Sequence, residues 1–178
     1  MRRLTLRAIT PEDRAEYVRV LALSEALHAP WSPLRPPGDT WDAVFDRQLA
    51  RHADGTCWKG VGVLPDGRVA GVFNLNEIVR GPFQNAYAGW AVNAELAGQG
   101  YAGAGVAALL GVAFTAAPEG LGLHRVQANI VPRNHRSVRV AERCGFRREG
   151  LAERYLRIAG VWEDHAMYAV TAEEWATR

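Results

Sequence analysis

Leu96-Ala97-Gly98-Gln99-Gly100-Tyr101-Ala102-Gly103 stands between residues 84–92, which read as a strand, and a stretch that reads as a helix. Val106, Leu109, Leu110, Ala113, Phe114 and Ala117 set that helix, because they recur at spacings of 0, 3, 4, 7, 8 and 11 and form one buried stripe. A strand, then Gly98-x-Gly100-x-x-Gly103, then an amphipathic helix can bind a pyrophosphate. Glycine lets backbone approach a ligand, and the first helical turn offers unpaired N–H groups and the positive end of a dipole. The structural alternative is a tight helix start in which the glycines only turn the chain. Two sharper rivals fail. A dinucleotide site needs an acid ~20 residues after the turn, at a strand end, and Glu119 falls in a Pro-Glu-Gly loop instead. A Walker-type loop needs Gly-Lys-Ser/Thr, which does not follow.

Outward from this turn, strand and helix patterns mix. Residues 4–9 alternate as a half-buried strand does. Thr10-Pro11-Glu12-Asp13 then starts a helix that should run to about His28. Pro30, Pro33, Pro36 and Pro37 forbid regular structure next. A second helix starting at Asp39 or Thr40 would bury Trp41, Val44, Phe45 and Leu49. Residues 58–64 and 68–79 read as two strands around the turn signal Pro65-Asp66-Gly67. Residues 124–131 alternate again, 133–144 form a short helix ended by Gly145, and 147–158 and 162–170 give two more strands. Thr171 caps a terminal turn. The order argues for a mixed α/β architecture with a partly antiparallel sheet, in one domain over residues 1–178.

Apolar residues make up 48% and charged residues 22% of the 178 positions, an ordinary composition for a water-exposed domain. A net charge of +2 is too mild for a polybasic nucleic-acid surface. Cys57 and Cys144 make no disulfide framework and fit a reducing compartment. Met1-Arg2-Arg3 looks like the start of a signal peptide, but Arg7, Glu12, Asp13 and Arg14 break the apolar stretch that should follow. No run approaches the ~20 apolar residues of a membrane span. A cytoplasmic protein is expected. The five histidines show no ligand spacing, so no metal is expected.

Ala97-Gly98-Gln99-Gly100-Tyr101-Ala102 resembles the acyl-CoA signature of GNAT acetyltransferases, usually Gln/Arg-x-x-Gly-x-Gly/Ala. The likeness extends to Pro30-Trp31-Ser32-Pro33, Val79-Arg80-Gly81-Pro82-Phe83, Tyr87-Ala88-Gly89-Trp90, His124-Arg125-Val126, Pro132-Arg133-Asn134-His135-Arg136-Ser137, Cys144-Gly145-Phe146 and Trp162-Glu163-Asp164-His165. Their order and spacing resemble the RimJ/RimL branch, on its RimJ side. The resemblance implies the GNAT fold, a central, mostly antiparallel V-shaped sheet flanked by helices and split near Ala91, Val92 and Asn93 around acyl-CoA. It implies acetyl-CoA as cosubstrate and transfer to a primary amine. The first expectation is an alanine-like N-terminal α-amino group of a protein such as a ribosomal protein. A small-molecule amine acceptor and a non-catalytic acyl-CoA-binding module are the alternatives. The oligomeric state stays open, a homodimer included.

By that resemblance, backbone groups of Ala91, Val92 and Asn93 pair with pantetheine. Gly98, Gln99, Gly100, Tyr101, Ala102 and Gly103 hold the pyrophosphate, and Asn134 and Ser137 lie beside the pantetheine and sulfur. Ala97 departs from the pattern, since Gln or Arg usually stands there.

Acyl transfer to an amine needs a neutral amine, a stabilised oxyanion and protonation of a thiolate. An α-amino group, with pKa near ~8, is far more often neutral than a lysine near ~10.4. A carboxylate base is hard to find. Asn129 and Leu156 stand where relatives carry glutamates, and the remaining acid, Glu77, reads more simply as a solvated strand-end charge. Ser137 can donate to the thiolate or be an ordinary first-turn serine, and Asn134 can cap its helix, bind pantetheine, or both. Arg133, Arg136, Arg139 and Arg143 form a basic helix face, read as solvated except at Arg136. Trp31 and Phe83 are the acceptor-cleft candidates, while Trp90 and Tyr87 are expected in the core.

Overall fold

The computed structural model describes residues 3–32 and 35–178. Met1 and Arg2 of the basic start, and Pro33 and Leu34 of the proline-rich stretch, lie outside the described residues. In chain order the elements are β1 (Thr5–Ala8), α1 (Arg14–His28), α2 (Trp41–Ala53), β2 (Trp58–Val63), β3 (Val69–Val79), β4 (Asn85–Val92), α3 (Tyr101–Phe114), β5 (Arg125–Ile130), α4 (His135–Arg143), β6 (Arg147–Ile158), β7 (Val161–Thr171) and α5 (Ala172–Ala176). The strands form one sheet in the order β1-β2-β3-β4-β5-β7-β6. All neighbours are antiparallel except β4 and β5.

Local chemistry accounts for the helix starts. The Asp13 carboxylate accepts from the Thr10 N–H at 2.8 Å, and the Thr40 hydroxyl accepts from the Ala43 N–H at 3.1 Å, so that α2 begins at Trp41. The apolar stripe of α3 stops at Phe114, short of the expected Ala117, which is exposed. Pro118 follows, and the residue before a proline is driven out of helical geometry.

Strand alternation sorts the core into two layers. On one face Phe73, Leu75, Ala86, Val126, Ala128 and Val170 pack with Val106, Leu109, Leu110 and Ala113 of α3 and Ala141 of α4. On the other, Val61, Val72 and Ala91 pack with Tyr17, Val20 and Leu21 of α1 and Phe45 of α2.

The parallel ladder between β4 and β5 is confined to Asn85–Arg125, Ala86–Val126 and Tyr87–Gln127. Beyond it β4 stays paired with β3 as far as Val92, and β5 stays paired with β7 as far as Ile130. The two halves therefore part from Ala88 onward, three residues earlier than expected. Each half keeps its outer ladder while the twist of the sheet separates them.

Candidate active site

The split opens into a cleft of about 1900 Å³. One end of it is built by the glycine turn. Asn93, fully buried, caps the short 3-10 turn Ala94–Leu96 by accepting from the Glu95 N–H at 3.0 Å, and donates to the Val69 carbonyl at 3.2 Å. Gly100 then takes φ +90° as α3 begins, a conformation that other residues resist. A Cβ placed on Gly98 or Gly103 would meet no atom within 4 Å, so the backbone of the turn faces open space. Gly98, Gly100, Tyr101, Ala102 and Gly103 all line the cleft, which fits a phosphate group held by backbone. Gln99 does not; its side chain is exposed and donates to the Glu95 carbonyl at 3.2 Å.

Asn93 is a correction as well. Its N–H donates to the Ala70 carbonyl at 2.9 Å and its own carbonyl accepts from Leu96 at 2.9 Å. Its side chain and backbone are engaged inside the fold, and it does not line the cleft. Ala91 and Val92 do line the cleft. Successive strand residues direct their backbone groups to opposite sides, so Val92, next to Asn93, faces the split. Its carbonyl is met there by His28 Nε2 at 2.8 Å.

On α4, Asn134 is buried and caps the helix through Oδ1, which accepts from the Ser137 N–H at 3.2 Å. Ser137 is half-buried and lines the cleft. The arginine face is exposed at all four positions, as expected at 133, 139 and 143, and also lines the cleft, where Arg178 joins it. Arg133 also spans the cleft mouth: its guanidinium lies 5.2 Å from the centre of the Trp31 ring and pairs with Glu163.

The face beneath α1 and α2 carries further polar groups of the cleft. Trp31 lines the cleft there, but Phe83 does not. It sits exposed in the turn before β4, beyond the closed end of the split. Tyr87 and Trp90, expected in the core, are half-buried and line the cleft, and Trp90 also packs against the core under α3 as expected. Glu77 reaches the cleft from a β3 bulge with φ +49° and forms an ion pair with Arg51 at 2.6 Å. The Lys59 amine, buried and pushed down to about 8 by that burial, donates to Asn76 Oδ1 at 2.5 Å.

Sequence reasoning missed Tyr155. Its hydroxyl accepts from Asn129 Nδ2 at 2.7 Å, Asn129 Oδ1 accepts from Gln127 Nε2 at 2.9 Å, and both Asn129 and Tyr155 line the cleft. The polar alternation of Gln127 and Asn129 opposite Val126 and Ala128 was a visible signal. Tyr155 had none, since a bulge in β6 brings it there. Among the described residues no group of three or more His, Cys, Asp or Glu is placed to hold a metal, and no helix is long and apolar enough to cross a membrane.

A sheet split between parallel strands, with a glycine turn and helix start at the split, makes a long cleft with one end suited to a phosphate group. Comparison with known proteins agrees. The family described as "Acetyltransferase (GNAT) domain" matches residues 3–147. The ribosomal protein uS5-alanine N-acetyltransferase of Escherichia coli (strain K12) is 31% identical over 182 residues, covering 97% of this chain and 90% of that one. Mycobacterium smegmatis RimJ, solved in complex with CoA-disulfide, superposes with a TM-score of 0.83 at 31% identity, over 96% of this chain and 83% of that one. The ribosomal-protein-S5-alanine acetyltransferase of Vibrio fischeri gives a TM-score of 0.84 at 26% identity, over 98% and 96% of the two chains. The chain belongs to the GNAT acetyltransferase family, and it is an N-acetyltransferase with acetyl-CoA as cosubstrate.

Proposed function

We propose that this enzyme acetylates the N-terminal α-amino group of a protein, with a small alanine-like first residue and a ribosomal protein as the substrate class, in the cytoplasm. It acts as one domain over residues 1–178, a reading supported by a single sheet that takes in strands from Thr5 to Thr171. The observation that carries the acceptor assignment is the charge of the cleft. Among the described residues five arginines line it, at 133, 136, 139, 143 and 178, of which Arg133 is paired with Glu163, with one carboxylate, Glu77, already paired with Arg51. Such a wall attracts a phosphate-bearing cosubstrate and disfavours a polycationic acceptor. An α-amino group suits it, being largely neutral near its pKa of ~8 without a strong base.

In this reading Gly98, Gly100, Tyr101, Ala102 and Gly103 hold the pyrophosphate, with Arg136 beside it. Ala91, Val92 and Asn134 flank the pantetheine. The neutral amine attacks the thioester carbonyl, a C–N bond forms, and the C–S bond breaks. Ser137 assists the departing thiolate, which takes up a proton, while the amine releases one to water. Trp31 borders the acceptor path.

A mass-spectrometric acceptor screen tests the assignment. Peptides with a free N-terminal alanine should be acetylated faster than N-blocked peptides with an internal lysine, and faster than polyamines or aminoglycosides. Preference for a small amine would move the enzyme to a small-molecule role. Acetyl-CoA binding with no thiol release for any acceptor would leave only a binding module.

A further inference from the structure

Tyr155 reaches the cleft because β6 is bulged. The register between β6 and β7 shifts between Ala152 and Leu156, Arg154 takes φ +49°, and its N–H donates to Asp164 Oδ1 at 2.8 Å. Bulges of this kind re-aim a side chain, and a non-glycine residue at positive φ persists where its surroundings enforce it. The Tyr155 ring leans over β7 against buried His165, with centroids 5.3 Å apart, and its hydroxyl arrives at Asn129 on β5.

The direction of the hydrogen bonds is fixed from the far end. Arg125, ion-paired with Glu149, can only donate, and it donates to Gln127 Oε1 at 3.4 Å. That turns the Gln127 amide so that Nε2 donates to Asn129 Oδ1, which in turn presents Nδ2 to the tyrosine oxygen. The oxygen of Tyr155 is thus an acceptor toward Asn129, and its own O–H is left to donate. Burial raises the phenol, with Tyr87 nearby adding to the rise and the Asn129 bond only partly opposing it, so the proton stays on.

The sheet decides what this donor meets. Ser137 and the glycine turn belong to α4 and α3, which cover the face carrying Val126 and Ala128. Gln127 and Asn129 alternate with those residues and lie on the opposite face, Gln127 beside Tyr87 in the last rung of the closed ladder. A hydroxyl donor on that face points at the acceptor. It gains nothing from an ammonium or alkyl group but pairs well with a carbonyl. We propose that Tyr155 donates a hydrogen bond to the first peptide carbonyl of the acceptor, so that the enzyme selects amines carrying a carbonyl on the adjacent carbon. Asn129 is the positioning residue that aims the hydroxyl. The inference rests on the N-terminal reading above and adds a residue and a chemical criterion to it.

The test compares a peptide with a free N-terminal alanine and the same peptide with its first amide replaced by an uncharged alkene isostere. Wild-type enzyme should lose about tenfold in kcat/KM on the isostere, the scale of one lost neutral hydrogen bond in a desolvated site. Tyr155→Phe should lose about the same on the peptide and little further on the isostere. Asn129→Asp keeps the shape but makes the partner an acceptor, which draws the tyrosine proton away, and should match Tyr155→Phe. Calorimetric acetyl-CoA affinity and thermal midpoint should stay near wild type in both variants. Equal losses on peptide and isostere, or a wild-type Tyr155→Phe, would overturn the proposal while leaving N-terminal acetylation standing. Failure of wild-type enzyme to turn over any free N-terminal peptide rejects the functional reading and this proposal together.

Discussion

His28 Nε2 stands 2.8 Å from the Val92 carbonyl oxygen, joining the last turn of α1 to the strand edge that borders the split. A carbonyl can only accept, so Nε2 carries the hydrogen. The contact links the packing of α1 on one face of the sheet to the strand that would flank pantetheine.

Burial holds the His28 imidazole below its ordinary pKa of about 6.5, only partly opposed by the Val92 bond. The unfolded chain therefore binds a proton more readily than the folded one in the window just below that value. Stability from this residue is complete above the unfolded pKa and is lost as pH falls through the window toward the folded pKa. The thermal midpoint should drop from pH 7 to pH 5, and His28→Gln should show a flatter profile over that range. NMR titration of His28 at or above its unfolded value would contradict the sign.

Gly100 at φ +90° tests the phosphate cradle. A residue with a Cβ costs ~1–2 kcal/mol in this conformation, and a carboxylate would face the phosphates as well. Gly100→Glu should lose most acetyl-CoA affinity by calorimetry in a variant that circular dichroism shows to be folded. Retained affinity would move the pyrophosphate elsewhere.

Ser137 donates its N–H to the Asn134 cap, so its hydroxyl is not needed to start α4. Ser137→Ala should therefore leave acetyl-CoA affinity near wild type and lower kcat by about tenfold or more if the hydroxyl serves the thiolate in the transition state. A wild-type kcat would return Ser137 to an ordinary first-turn serine.

Most of the fold was legible because its signals are local. The stripe from Val106 to Ala113, the Thr40 and Thr171 caps and the alternation of β5 each involve a few neighbours in sequence. The glycine turn was legible for the same reason. What escaped depends on partners far apart in the chain. Phe83 was a cleft candidate by analogy with the family, yet where β4 and β5 separate decides that it lies outside. Asn93 looked available until Ala70, Val69 and Leu96 took up its groups. Tyr155 is carried across β7 by a bulge that no periodicity announces, and Arg133 meets Trp31 and Glu163 only once three separate segments converge.

Gly105 lets α3 lie close against β3. An added methyl would sit 2.0 Å from the fully buried ring of Phe73. Alanine would add up to ~1 kcal/mol of helix propensity, but overpacking a tight core costs ~1–3 kcal/mol. The clash falls on a fully buried ring rather than on a flexible chain end, so the net effect should be destabilising. A midpoint lower by ~2–4 °C per kcal/mol is the scale to look for in Gly105→Ala. An unchanged or raised midpoint would show that α3 can shift without loss.

The pH dependence of turnover separates an unassisted amine from a carboxylate base. Glu77 is exposed and paired with Arg51, an arrangement worth at most ~1 kcal/mol to stability and poorly suited to taking a proton from the acceptor. Glu77→Gln should keep kcat/KM within about threefold, with no loss of a limb near pH 6. The rate should instead rise through the amine's own pKa, near ~8 for an N-terminus. Lys59, pushed down to about 8 by burial, titrates in the same range and bonds to Asn76, which lines the cleft, so one profile does not assign the limb. Two peptides whose N-terminal amines differ in pKa by about one unit do, because a limb owned by the acceptor moves with it and one owned by Lys59 stays. A moving limb that Lys59→Met leaves in place fits direct attack by the free amine. A limb near 6 that Glu77→Gln abolishes would make Glu77 the base, acting through water despite its partner.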